Sequence, residues 1–362
     1  MVDSINFRTL KAEDIPSQRE LFEACFPETL GTAHHGDGDS YRAWKFEGIS
    51  ATPPSREFIA EVDGHLTGYY AALPLEYRVQ GKQARVALVV DVMVHPHSQG
   101  QGIFRRLGLF SCEQLKSEGF DFTTGYPIRP QVMPGHLKVG WQIAFAMPTY
   151  VSILSSKTIL QSQNLGILYL FVEPFVKLQK WVINLILKMF GGPFRTETVA
   201  SLSLLEDPNF WEFQSTWLAR QTIALARTPA TWKWRLSRPG SKYFSVLLRD
   251  HNGKIVGHAL ATPTVLKGVS TLAILDIQWT DIAAVPDIQR SLRQMAACFG
   301  CDTLSCMVSK SLFKRNGFFA AGFVKTGAVF KLIFNNLSRS IPDPVLLREE
   351  NWHVTWLDTD DV

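Results

Sequence analysis

Apolar positions along this chain recur at two distinct periods, and the changes from one to the other mark out its elements. Phe7 to Pro16 reads as a first strand and turn, Gln18 to Phe26 as an amphipathic helix, and Glu57 to Leu73 as a hairpin turning at Asp63-Gly64. Val86 to Val94 is a nearly unbroken run of β-branched and aliphatic residues, as expected of a strand covered on both faces. Pro96 offers no ladder N–H, so this strand should stop at His95. Phe104 to Lys116 is patterned as a helix, and Phe120 to Gly125 as a strand running into Tyr126-Pro127. Asp91 is the one carboxylate inside the run Val86 to Val94. Strand alternation places it opposite Leu88, Val90 and Val92, and burying it without a partner would be costly, so it should be hydrogen-bonded or functional.

The pattern then repeats. Ala43-Trp-Lys-Phe46, Asp63-Gly-His-Leu-Thr-Gly68 and Val89-Val-Asp-Val-Met93 have counterparts, in the same order, in Lys233-Trp-Arg-Leu236, Asn252-Gly-Lys-Ile-Val-Gly257 and Ile274-Leu-Asp-Ile-Gln278. The halves differ after the shared aspartate. Gly100 and Gly102 follow Asp91, whereas Trp279 to Asp287 holds no glycine, and Pro286 leads directly into a helix expected over Ile288 to Phe299.

Between the halves, Leu168, Phe171, Val172, Phe175, Val182, Leu185, Ile186 and Met189 recur at helical spacing, with Glu173, Lys177, Lys180, Asn184 and Lys188 on the other face. This is one amphipathic helix over residues 165–190, or two hinged at Pro174. Its regular charges argue against a spanning helix. Two readings stay open: a connector whose apolar face is buried, or an interfacial helix making peripheral membrane contact through Trp181 and the lysines. Gly191-Gly-Pro193 ends it.

Length and charge narrow the class. A chain of 362 residues, 46% hydrophobic and 19% charged, is globular and long enough for two domains. Thirty-seven basic against thirty-three acidic residues give a net charge of only +4, with no long basic run, so nucleic-acid binding is not expected. The amino terminus lacks a basic-then-apolar leader and five cysteines stand at irregular spacings, which fits a cytoplasmic location, peripheral to the inner membrane face if the helix is interfacial. Cys298-Phe-Gly-Cys301 has no second pair to complete a metal site, and no metal is expected.

The most informative chemistry lies after the buried strand. Gly100 and Gly102 remove Cβ atoms where the main chain must pass close to a ligand, and a helix starting near Ile103 aims unpaired N–H groups at the same spot. Arg105 and Arg106 in that first turn oppose the helix dipole unless an anion is bound. An anion is therefore expected there.

These residues resemble the GNAT superfamily of N-acetyltransferases. Val94-His-Pro96, then Gln99-Gly-Gln-Gly102, then a helix, is similar to that family's (Gln/Arg)-x-x-Gly-x-(Gly/Ala) coenzyme A loop, with Phe104 where Gly or Ala is usual. His136-Leu-Lys-Val-Gly-Trp141 resembles its closing Tyr-x-x-x-Gly-Phe helix end. The resemblance implies an α/β fold with mixed sheets: a GNAT domain over 1–150, a helical connector over 151–199, a degenerate GNAT-like domain without the loop over 200–340, and a tail over 341–362. It also implies transfer of an acetyl group from acetyl-CoA, or another acyl-CoA, to a primary amine of a small molecule, amino sugar, glycan precursor or lipid-linked acceptor. The amine attacks directly, through a tetrahedral intermediate. Val92, Met93, Val94, Gln99, Gly100, Gln101, Gly102, Ile103, Phe104 and Arg105 would bind the cofactor, with main-chain N–H groups near Val92 to Val94 supporting the oxyanion. His136, at the family's tyrosine position, is the first candidate for proton donor to the departing thiolate, Tyr126 the second, and Asp91 a candidate base. Acceptor loops are expected at Thr29 to Asp39 and Pro127 to Gly135, with Asp37, Asp39 and Glu57 as acids able to meet a cationic amine. Two other classes remain: an aminoacyl-tRNA-dependent transferase of the Fem type, and a CoA-binding regulatory module without turnover.

Overall fold

The computed structural model describes residues 5–27, 38–49, 54–162, 165 and 168–360. Its elements follow the periodicities above. Strand β1 (Asn6–Thr9) leads to helix α1 (Ile15–Cys25) and the short helix α2 (Gly38–Arg42). Strands β2 (Arg56–Val62), β3 (His65–Val79) and β4 (Lys82–Val94) form an antiparallel meander. The β2–β3 turn is the expected Asp63-Gly64, with φ of 51° and 76°, the both-positive geometry that suits a two-residue hairpin. Helix α3 (Ile103–Ser117) crosses over to β5 (Phe122–Gly125), which lies parallel to β4. Helix α4 (Met133–Lys138) and strand β6 (Gln142–Ile153) complete the first half.

The second half runs α5 (Lys157–Ser162), α6 (Tyr169–Phe190), β7 (Arg195–Ala200), α7 (Pro208–Ala219), β8 (Ile223–Leu225) and α8 (Pro229–Leu236). It continues through β9 (Phe244–Arg249), β10 (Ile255–Leu266), β11 (Val269–Trp279), α9 (Val285–Cys298), β12 (Thr303–Met307), α10 (Lys310–Arg315) and β13 (Val324–Asn336). Helix α11 (Asp343–Leu347) and strand β14 (Trp352–His353) close the chain.

Two compact units emerge, and neither is contiguous in sequence. Unit 1 comprises residues 1–145, 228–240 and 331–351, and unit 2 comprises 146–227, 241–330 and 352–362. The contiguous boundaries expected at 150, 199 and 340 therefore differ from those of the units. The physical reason is that each sheet takes its last strand from the other half. In unit 1 the order is β1-β2-β3-β4-β5 and then the end of β13, where Ile333–Asn336 pair antiparallel with Phe122–Gly125. In unit 2 it is β7-β9-β10-β11-β12 and then the end of β6, where Thr149–Ile153 pair with Thr303–Met307. Each sheet is mixed, with one parallel pair bridged by a helix: β4–β5 by α3, and β11–β12 by α9.

Nor is the stretch from 341 a tail. Leu346 is buried in unit 1, and Trp352, Val354, Trp356 and Leu357 are buried in unit 2. Each core sits between a crossover helix and its sheet. Ile103, Leu107 and Leu115 of α3 pack on Phe58, Tyr70, Ala72, Ala87 and Val89, while Ile288, Leu292 and Met295 of α9 pack on Val246, Leu248, Ala259 and Leu272. Large apolar side chains of this kind contribute about 1.5–3 kcal/mol each when fully buried.

Candidate functional site

Strand β4 is paired along both edges only in its first half. Its register with β3 runs the whole length from Lys82 to Val94, but its register with β5 covers Val86 to Leu88 alone. Beyond Leu88 the parallel register ends, and among the described residues no strand pairs with the outer edge of β4 there. On the other edge the ladder slips between Tyr69 and Ala71, so that Asp91 and Val92 together oppose Tyr70. Asp91 accordingly takes φ 50°, a left-handed conformation that aspartate tolerates better than most residues. The bulge breaks the strict alternation expected here and re-aims the side chains around it.

The chain then turns as expected. Pro96 opens a short helical turn over Pro96–Ser98, and His95 Nδ1 accepts from the His97 N–H. Gln99 Nε2 donates to the Val94 carbonyl at 3.4 Å, tying the loop back to the strand end. Gly100 and Gly102 have φ of 80° and 76°, and Gly102 caps α3, whose first internal bond runs from Arg106 N–H to Gly102 O at 3.1 Å. A Cβ built on either glycine would meet no atom within 4 Å. Conformation therefore demands glycine, and the space beside both is open to a ligand. Gly100, Gln101, Gly102 and Arg105 are exposed, Phe104 is half-buried and Ile103 anchors the turn in the core. The first turn of α3 holds no acid.

The start of α9 differs in kind. Asp281 Oδ1 accepts from Ala283 N–H at 2.9 Å, and the fully buried Asp287 in the first turn accepts from Gly192 N–H at 2.7 Å and pairs with Arg290. The first turn of α9 thus holds a carboxylate of the chain itself, Asp287, and Asp281 caps the short turn Ile282–Ala284 that leads into it, whereas the start of α3 has glycines and arginines.

Phe104 has a built place. A Cβ on Gly135 would lie 2.6 Å from its ring, so Gly135 in α4 is what admits it. The ring meets His136 edge-on, with centroids 5.1 Å apart, and His136 in turn meets Trp141 at 5.1 Å. Thus His136 is buried among aromatics, and burial lowers its pKa to about 4. At pH 7 about one ring in a thousand carries a proton. The donor role expected of His136 is not one this environment supports.

On the opposite face of the sheet lies a polar cluster. Lys45 Nζ is 2.8 Å from Asp91 Oδ2, with the lysine 4% exposed and the aspartate 21%. Arg42 pairs with Glu57 at 2.7 Å, and the Tyr69 hydroxyl donates to Glu57. Burial, reinforced by the Glu57 and Asp91 charges, pushes the Tyr69 phenol well above its usual range, so it stays a neutral donor. The indoles of Trp44 and Trp234 stack 5.4 Å apart, each N–H donating to the other residue's carbonyl, and hold this cluster's cover in place. The carboxylates Asp91 and Glu57 are thus already paired with cations. Sequence reading named both but missed Lys45, Arg42 and Tyr69; a lysine between Trp44 and Phe46 was the available signal.

Tyr126 is half-buried and directly follows β5. In unit 2 Asp276 also sits beside a bulge, at Leu275, and is enclosed by Arg227 at 2.8 Å and His353 at 2.8 Å. Burial opposes its ionisation, but these partners hold it down to about 2. Of the expected acceptor loops, residues 29–37, including Asp37, lie outside the described residues; Asp39 is exposed and pairs with Arg19. Residues 127–132 form the approach to α4, and 133–135 are its first turn.

Residues 6–144 match the sequence family described as an acetyltransferase (GNAT) domain. No curated protein sequence matches the chain. Among solved structures, the fold is similar to that of a GCN5-related N-acetyltransferase from Anabaena variabilis, at 15% identity and a TM-score of 0.65, covering 92% of this chain and 73% of that one. A probable N-acyltransferase of Enterococcus faecalis gives 10% identity and a TM-score of 0.63, covering 92% and 73%. N-myristoyltransferase of Saccharomyces cerevisiae, with bound myristoyl-CoA, gives 9% and 0.60, covering 93% and 80%. At such identities the likeness is one of fold. Residues 6–144 are thus similar to acetyltransferase (GNAT) domains, and the chain has the mixed α/β fold of these structures.

Proposed function

We propose that this protein is an acyl-CoA-dependent N-acyltransferase, with acetyl-CoA as donor and a primary amine of a small molecule or glycan precursor as acceptor. The observation that carries the reading is the cradle at Gln99 to Arg105: left-handed glycines with open space beside them, an acid-free helix start and the exposed Arg105. That set fits a diphosphate through main-chain N–H groups and the helix dipole. The free edge of β4 beyond Leu88 fits an extended amide-bearing arm, which could pair with it as a strand would.

Within this reading, N–H groups at Val92 to Val94, beside the bulge, steady the charge that develops on the carbonyl oxygen. Tyr126, which directly follows β5, is in this reading the candidate to protonate the departing thiolate, ahead of His136. The acceptor ammonium, with an ordinary pKa of about 10.4, must lose a proton before attack. Asp91 and Glu57 could receive it only through or after exchange with Lys45 and Arg42. We assign unit 2 as a second GNAT-like copy in which Asp281 and Asp287 stand in for an anion. The shared strand order and the parallel pair bridged by a crossover helix in each unit support that assignment.

Mass spectrometry after incubation with acetyl-CoA and a panel of amines, amino sugars and nucleotide sugars tests the reading. Acetylated product that disappears in Gly102→Val supports it, and CoA binding without any product points to a regulatory module instead. Donors of increasing chain length in the same assay define the acyl group.

A further inference from the structure

Helix α6 turns much of its apolar stripe outward. Its inward face is narrow. Val176, Ile183 and Leu187 are buried, the last two in the unit 2 core, and the one acid of the helix, Glu173, also points inward, where it accepts from the N–H and hydroxyl of Ser156 at 2.9 and 2.8 Å. Phe171, Phe175, Leu178, Trp181, Leu185 and Met189 share the opposite side, and Phe175 is 74% exposed, Trp181 62% and Met189 71%. Of the two readings open from the sequence, the buried connector is the one this exposure disfavours. Alongside α6 runs an open groove of about 560 Å³, closed on its far side by Phe319 to Val324, where Phe319 is 83% exposed.

The exposed charges of α6 itself have one sign. Residues 174–196 include no Asp or Glu but carry Lys177, Lys180, Lys188 and Arg195, and residues 303–330 again have no acid but carry Lys310, Lys314, Arg315 and Lys325. Lys177 and Lys188 are exposed and flank the ridge on one side. A second copy of the chain seated here through a two-fold axis would bring cations against cations with no acid to pair them. Among the described residues no helix is long and apolar enough to cross a membrane.

We propose that this face docks on an anionic lipid surface, with α6 lying in the headgroup plane, its aromatic and aliphatic side chains inserted and its lysines among the phosphates. A helix of 22 residues presents a contact about 33 Å long. The inference stands apart from acyl transfer and survives if that reading fails.

Co-sedimentation of the full chain with vesicles tests it, using phosphatidylcholine alone and phosphatidylcholine with added phosphatidylglycerol. The protein should pellet with the anionic vesicles, should be released by salt, and should stay in solution with the neutral ones. Phe175→Glu/Leu178→Glu should lower the partition about tenfold or more while leaving thermal unfolding unchanged, since both side chains are exposed. Lys177→Glu/Lys188→Glu should weaken anionic binding as well. No binding to either vesicle, or variants that bind as the wild type does, would overturn the proposal. So would an ultracentrifugation result in which the chain is a dimer that Phe175→Glu/Leu178→Glu converts to monomer.

Discussion

Lys45 and Asp91, forty-six positions apart, form a 2.8 Å ion pair at the one place where β4 leaves regular strand geometry. The lysine is almost wholly buried, and the aspartate occupies a left-handed bulge position. The pair thus couples a charge requirement to a backbone requirement, and the two can be separated by substitution. Asp91→Asn keeps a side chain that tolerates φ above zero, whereas Asp91→Val adds a β-branched residue to a left-handed position at about 1–2 kcal/mol. Urea unfolding should therefore show Asp91→Val less stable than Asp91→Asn by about that amount, although valine is the better strand residue elsewhere. Equal stability of the two would mean that the bulge relaxes.

His136 gives a pH signature. Its folded pKa, about 4, lies below the unfolded value of about 6.5, so the unfolded chain binds the proton more tightly throughout that window. Stability attributable to this residue is fully present above pH 6.5 and is lost as pH falls towards 4, at up to about 1.4 kcal/mol per pH unit. His258, buried in unit 2 and also near 4, adds a second such slope. His136→Gln should flatten the acid limb measured by chemical denaturation at several pH values. It should also leave turnover at pH 7 within a few-fold of wild type, while Tyr126→Phe lowers it by about 10²-fold or more. A collapse of turnover in His136→Gln with unchanged acyl-CoA affinity would restore the histidine to the chemistry.

Phe104 and Gly135 should behave as one unit. Gly135→Ala would ordinarily favour α4, yet its Cβ would sit 2.6 Å from the Phe104 ring. Overpacking of this kind costs about 1–3 kcal/mol. In a double-mutant cycle, Phe104→Ala should relieve most of that penalty, giving a coupling of about 1 kcal/mol or more. Additive effects would mean that the ring has another place to go.

These relationships show where sequence reading succeeds. The strand Val86 to Val94, the Asp63-Gly64 turn and the glycine loop were legible because they rest on local rules: β-branched runs, paired positive φ, and a helix start without a Cβ. The strand exchange was not legible, because it is decided by which distant segment, Ile333–Asn336 or Thr149–Ile153, lies beside β5 or β12, and no local period encodes that. The outward turn of α6 stayed one of two open readings for a related reason. Its apolar stripe is wider than the face its neighbours cover, and a buried Glu173 satisfied by Ser156 shifts the covered side. The environment of His136 depended on Phe104 and Trp141 meeting around it, which spacing alone does not report.

The central claim is that main-chain N–H groups from Gln99 to Arg105 hold the diphosphate of an acyl-CoA. Calorimetric titration of the wild-type chain and of Gly102→Val, each with coenzyme A and with pantetheine, which lacks the phosphates, addresses it most directly. Coenzyme A should bind the wild type about a hundredfold or more tighter than pantetheine, and Gly102→Val should erase that preference while unfolding as a single cooperative species. Equal affinities for the two ligands in the wild type, or an undiminished preference in the variant, would contradict the claim.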